Sequence, residues 1–220
     1  MRELSSDTSV HRRLLRYTLI WIRASRPFTL SASLIPVFVA SALAFAHGVG
    51  IPHAALIVTL GAILVQVGTN LVDEYADEIP SKQKNKLIAP YKVIALGLIS
   101  KNSVRTGALT CFSLATLIGV YLTNLRGWPI FVISGVSLAA AYFYAGGPKP
   151  LGDRALGIPL VFIFMGPIIM LGTYYVHSET LSVEVMWLSL PIGCLVSAIL
   201  VANDLRDLKS DQVSGKKTPV

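Results

Sequence analysis

The 220-residue chain is 53% hydrophobic and only 14% charged, with a formal net charge of +7, whereas an average soluble domain is roughly 45–50% apolar and about 25% charged. That balance excludes a solvated globular domain. It also excludes reading the positive charge as a nucleic-acid footprint, because most of the basic residues lie between apolar stretches, where they set membrane orientation.

The first 26 residues are polar and basic, with Arg2, Arg12, Arg13, Arg16, Arg23 and Arg26. They place the first apolar run too deep for the core of a cleaved signal peptide, so that run is expected to be retained. From Pro27 to Val72 there is no Asp, Glu, Lys or Arg, and the same holds for Thr106–Leu125, Gly127–Pro148, Ala155–Ser178 and Val185–Asn203. Each window reaches the ~20 residues that cross a bilayer as a helix, and the first is long enough for two crossings around a turn at Gly48–Pro52. The predicted fold is therefore all-α, a polytopic membrane bundle of six helices at about 27–47, 54–76, 104–124, 128–145, 157–177 and 184–204. It divides into a basic N-terminal segment (1–26), the bundle (27–204) and a closing loop (205–220).

With the N-terminus in the cytoplasm, alternation puts every one of the 19 Lys and Arg residues except Arg126 on the inner side, as the positive-inside bias requires. Cys111 and Cys194 sit singly in apolar spans, with no metal-type spacing, and read as packing residues. His47, His53 and His177 are expected near the outer interface. Trp21, Trp128 and Trp187 lie near span ends, as in an aromatic belt.

Acidic residues are sparse and clustered. Asp73, Glu74, Asp77 and Glu78 lie at the inner end of the second span, and Asp204, Asp207 and Asp211 at the inner end of the sixth. On a helix, Asn70, Asp73 and Asp77 fall within about 60° of one another, and Asp204, Asp207 and Asp211 repeat the same i, i+3, i+7 spacing. Such stripes of carboxylates at a membrane boundary call for cations. With oxygen donors alone, a hard Mg²⁺ is expected, shared with phosphate oxygens. Lys82, Lys84, Lys86, Lys149, Arg206 and Lys209 stand ready as phosphate contacts. The ligand these features imply is an organic diphosphate whose tail lies in the membrane.

The segments GTNLVDEYADE (68–78) and NDLRDLKSDQVSGKKT (203–218) resemble the two Asp-rich motifs of the UbiA superfamily of intramembrane aromatic prenyltransferases. WIRASRPFTLSASLIP (21–36) and YFYAGGPKPLGDRALGIPLVFIFMGPIIMLGTYYV (142–176) look like the branch that prenylates 1,4-dihydroxy-2-naphthoate in menaquinone synthesis. The resemblance implies transfer from a polyprenyl diphosphate to an aromatic acceptor in the plasma membrane. It also implies that Asn70, Asp73, Asp77, Asp207 and Asp211 bind Mg²⁺ and diphosphate, with Glu74 and Asp204 as helpers. Lys149 would hold the diphosphate and Tyr144 would line the pocket of the reacting carbon. Arg26 is either a further diphosphate contact or a plain topological anchor.

The chain departs from that branch in reading Asp73-Glu74-Tyr75-Ala76-Asp77 where NDxxD is usual. The family fold has nine helices, so three closing helices are expected to be missing. Two other functions stand beside the enzyme: a truncated, non-catalytic paralogue that binds prenyl diphosphate, and a small membrane transporter.

Overall fold

The computed structural model describes residues 2–77, 92–147, 150–153 and 156–214, with side chains described throughout except at 2–11, 153, 206, 207 and 209–214. Eight α-helices carry the chain: α1 (Arg2–Ser25), α2 (Ser31–Ala46), α3 (Pro52–Asp77), α4 (Lys101–Arg126), α5 (Trp128–Ala145), α6 (Gly157–Ile163), α7 (Ile169–Ser178) and α8 (Val183–Ser214). Six stretches are long and apolar enough to cross a membrane: Pro27–Ala46, Pro52–Asp77, Lys101–Arg126, Trp128–Ala145, Gly157–Ser178 and Val183–Leu205. They fall where the charge-free windows place them. Large apolar side chains such as Leu109, Leu117, Phe131, Leu195 and Ile199 point outward, which is the correct arrangement where lipid replaces water.

The basic N-terminal segment is helical as α1, whose last turns dock on the bundle. Ile20 and Ala24 are buried against Leu71 and Val72 of α3 and Val104 and Ala108 of α4. The Trp21 ring fills the space over Gly107, where a Cβ would come within 2.7 Å of it. Pro27 disfavours helical geometry at the residue before it, and Arg26 adopts a left-handed conformation (φ 50°, ψ 68°) from which the 3₁₀ turn Pro27–Leu30 leads into α2.

The fifth span is one rod in two α-helical pieces, α6 and α7, joined by a π-helical turn at Phe164–Ile168 that contains Pro167. Proline lacks the N–H that would continue the ladder, and widened turns absorb such a defect. Here α8 comes to backbone contact. A Cβ on Gly166 would lie 2.8 Å from the Ser189 carbonyl oxygen and 2.9 Å from Gly193 Cα. Small residues permit such crossings between membrane helices. Gly166→Ala is therefore expected to destabilise the bundle by about 1–3 kcal/mol, seen as a lower melting temperature in detergent; an unchanged melting temperature would contradict the close approach.

At the end of the bundle remote from the acidic clusters, where the sequence places it, His177 is 4% exposed and serves as an internal polar clamp. Its Nδ1 accepts the Ile51 N–H at 3.0 Å, and its Nε2 lies 3.3 Å from Ser41 Oγ. A buried backbone N–H at a turn must find an acceptor, and an imidazole at the end of α7 supplies it. His47 and His53 are exposed as expected. His47 contacts the Tyr174 hydroxyl at 2.9 Å and Glu184 at 3.1 Å, while Arg126 pairs with Glu179.

Candidate active site at the charged end of the bundle

The last turns of α3, the turn after α1 and the segment entering α4 meet at one end of the bundle. Asn70 fixes the first junction: its amide nitrogen donates to the Ser25 carbonyl and to Thr29 Oγ1, each at 2.8 Å. Thr29 in turn donates from its N–H and its hydroxyl to the Arg26 carbonyl, both at 2.9 Å. This network holds the left-handed Arg26 backbone and aims its side chain at α3. Asn70 thereby braces the Arg26 turn through its amide nitrogen.

Arg26 Nη2 reaches Asp73 Oδ2 at 2.7 Å and Glu74 Oε2 at 3.7 Å. Lys92 comes from the segment before α4 and lies 3.4 Å from Asp73 and 3.6 Å from Glu74, with a direct pair to Asp77. The three carboxylates Asp73, Glu74 and Asp77 are thus met by two cations of the chain itself. The Lys92 side chain is 12% exposed. Burial opposes its charge, but the Asp73 and Asp77 carboxylates outweigh both that and the neighbouring Arg26, and its pKa lies above the ordinary lysine value.

The two neighbours Asp73 and Glu74 have different surroundings. Glu74 is 1% exposed, and its Oε1 accepts the Ile94 N–H at 3.0 Å, so it ties the Lys92–Ile94 segment to α3 while its other oxygen faces the two cations. Asp73 is 39% exposed and opens outward. Of the two, Asp73 has the room to take an outside ligand. Beside them, Lys101 lies over the Tyr75 ring, 4.7 Å from its centroid.

Sequence reasoning did not single out Lys92. Loop residues carry no periodicity to expose them, and the only available signal was the requirement that a carboxylate stripe at a membrane boundary be matched by positive charge. The residues chosen for that task, Lys82, Lys84, Lys86 and Lys149, lie outside the described residues, as does Glu78. Arg26, left open as a diphosphate contact or a topological anchor, pairs with Asp73 and Glu74.

Helix α8 runs on past the expected end of the sixth span to Ser214, so Asp204, Asp207 and Asp211 share one continuous helix and the spacing that defines the second stripe holds along its backbone. Asp204 is buried; the side chains of Arg206, Asp207, Lys209 and Asp211 lie outside the description. Tyr144, in the last turn of α5, packs against the turn that starts the next span. Its ring lies 3.4 Å from a Cβ position on Gly152, and its hydroxyl lies 3.6 Å from one on Gly157. Gly157 also faces Leu200 of α8, so Tyr144 stands where the fifth and sixth spans approach.

The donor set suits a hard cation in type, being carboxylate and amide oxygen without sulfur or imidazole. Among the described residues no three acidic, histidine or cysteine groups converge on one point.

Six apolar spans with paired carboxylates and cations at one end define an integral membrane protein with a polar site at the mouth of an apolar bundle. A sequence model of the UbiA prenyltransferase family matches residues 33–220. The chain belongs to that family, whose members transfer alkyl groups other than methyl. It is 31% identical over 202 residues to a 1,4-dihydroxy-2-naphthoate octaprenyltransferase of Mycobacterium tuberculosis, covering 90% of this chain and 68% of that protein. With the enzyme of the same name from Escherichia coli it shares 32% identity over 209 residues, covering 92% and 68%. The fold matches the structure of a UbiA homologue from Archaeoglobus fulgidus bound to DMAPP and Mg²⁺, with a TM-score of 0.70 at 13% identity over 91% of this chain and 68% of that one.

Proposed function

We propose that the protein transfers a prenyl group from a polyprenyl diphosphate to an aromatic acceptor, 1,4-dihydroxy-2-naphthoate, in menaquinone biosynthesis. The observation that carries this reading is the cluster at the charged end, where Asp73, Glu74 and Asp77 meet Arg26 and Lys92. A carboxylate stripe with cations beside it is suited to a metal-bound diphosphate, and the resemblance to the two naphthoate enzymes supports the acceptor.

In this reading Asp73, Asp77, Asp207 and Asp211, with Asn70 and helped by Glu74 and Asp204, would hold Mg²⁺, and Arg26, Lys92, Lys149, Arg206 and Lys209 would hold diphosphate oxygens. Magnesium, when bound, supplies Lewis acidity that stabilises the departing diphosphate. Arg26 and Lys92 are placed to follow the charge as it moves: each can exchange a carboxylate contact for a phosphate oxygen with little movement. As the allylic C–O bond breaks, its electron pair leaves with the diphosphate, and a ring carbon of the acceptor forms the new C–C bond. Loss of the proton from the attacked ring carbon restores aromaticity, and the carboxylate leaves as CO₂ with a proton taking its place on the ring. Tyr144 would line the pocket of the reacting carbon, and the apolar helices keep water from that carbon.

The positive-inside bias supports a site on the cytoplasmic side of the plasma membrane. A transporter would place its coupling-ion site near the bilayer midplane, whereas the ion pairs among the described residues lie at the helix ends.

The test is equilibrium binding of an unreactive geranyl thiolodiphosphate to the purified protein in lipid nanodiscs. Saturable binding that needs Mg²⁺ and disappears with EDTA is expected. Binding indifferent to EDTA would contradict the metal-held diphosphate.

A further inference from the structure

One turn below Asn70 on the same face of α3 lies Gln66, in the middle of an apolar span. Its amide oxygen accepts the Ser33 hydroxyl at 2.8 Å, and Ser33, on α2, is 2% exposed. The Met165 sulfur of the π-helical turn lies 3.8 Å from the same hydroxyl, so three spans converge on this pair. The polar residues of α3 thus form a ladder: the Asp73–Glu74–Asp77 cluster, then Asn70, then Gln66. One turn of helix separates successive levels by about 6 Å.

An amide inside a membrane bundle is costly unless its hydrogen bonds are made. Ser33 satisfies the oxygen of Gln66, and among the described residues nothing accepts from its NH₂ group. The outer-end clamp accounts for Ser41 and His177, the Ser189 hydroxyl bonds back to the Met186 carbonyl, and the Thr173 and Ser197 hydroxyls, buried without a partner among the described residues, lie on α7 and α8 and off the α3 ladder. Gln66 is therefore a neutral hydrogen-bond donor placed about two helical turns beneath the charged cluster, where a diphosphate held above would deliver its first carbons.

We infer that Gln66, oriented by Ser33, is the subsite for the aromatic acceptor, its NH₂ group donating to a ring hydroxyl or carboxylate oxygen. The inference rests on the prenyl-transfer reading and adds to it the group that positions the second substrate. The chemistry fits the depth: the spans contain no Asp, Glu, Lys or Arg at this level, so an oxygenated ring entering them must be recognised by neutral polar groups. A neutral donor also leaves the ring its electron density for attack on the allylic carbon, where a metal or a lysine would withdraw it. Ser33 anchors one end of the amide from α2 and leaves its other end to the ligand.

The experiment uses the full chain in nanodiscs and two probes, fluorescent 1-hydroxy-2-naphthoate and geranyl thiolodiphosphate with Mg²⁺, against wild type, Gln66→Met and Ser33→Ala. Gln66→Met keeps the volume and removes the donor. Loss of one hydrogen bond to an anionic ligand predicts about tenfold weaker naphthoate binding with thiolodiphosphate binding unchanged, and a smaller loss for Ser33→Ala. Equal naphthoate affinity in wild type and Gln66→Met would overturn the subsite, as would an equal loss for both probes, which marks a general packing defect. Failure of wild type to bind the naphthoate while it binds the thiolodiphosphate also overturns it. Failure of wild type to bind the thiolodiphosphate instead removes the reading beneath it, so the two failures are told apart.

Discussion

Asp77→Asn is expected to lower prenyl transfer by about 100-fold or more, the equivalent of several kcal/mol of leaving-group stabilisation, while membrane insertion and folding persist. Asp77 pairs with Lys92, so the substitution removes a proposed metal ligand and also one of the carboxylates that Lys92 meets. The two effects separate in a double variant. If the loss came from an uncompensated Lys92, Asp77→Asn with Lys92→Met would regain activity. The account predicts that it does not, because the carboxylate acts on the diphosphate through the metal and Lys92 itself holds phosphate oxygens. Initial rates in membranes at saturating Mg²⁺ make the comparison, and near-wild-type turnover of the single variant would remove Asp77 from the site.

Glu74→Leu should show the opposite pattern, with a large effect on stability. The carboxylate is 1% exposed, takes the Ile94 N–H at one oxygen and lies 3.6 and 3.7 Å from Lys92 and Arg26 at the other. Removing one partner of a buried ionic group leaves uncompensated charge, a penalty of about 3–5 kcal/mol. In a chain of this size that corresponds to a fall in melting temperature on the order of 10 °C. Glu74→Gln, which keeps an acceptor for Ile94, should fall less. Equal melting of Glu74→Leu and wild type in mild detergent would show that the loop is held by other means.

These two residues are adjacent to or near one another in one motif, and the sequence does not separate their roles. Both are acidic and both lie at the inner end of the same span. Periodicity put Asn70, Asp73 and Asp77 on one stripe, which the helix geometry of α3 supports, but it says nothing of what packs against the flank where Glu74 turns inward. The six spans were legible because the absence of charge over about 20 residues is a direct consequence of bilayer thickness. The π-helical turn was not, since Pro167 signals a defect in the hydrogen-bond ladder without specifying how the helix absorbs it. Lys92 was illegible for a related reason: its position depends on a loop closing back onto α3 through the Glu74–Ile94 bond, a contact with no local pattern. The outer end was legible for His177 but its burial was not, because hydropathy locates a residue along the membrane normal and cannot tell the inward from the outward side of a helix end.

The central claim is that this chain carries prenyl groups to an aromatic ring. It is tested most directly by supplying membranes that contain the chain with Mg²⁺, a labelled polyprenyl diphosphate and 1,4-dihydroxy-2-naphthoate, with Asp207→Asn membranes as the blank. The account predicts labelled, decarboxylated prenyl-naphthoquinol above the blank, lost on addition of EDTA. Label that stays in the diphosphate, or appears in product equally with the Asp207→Asn chain, would contradict it.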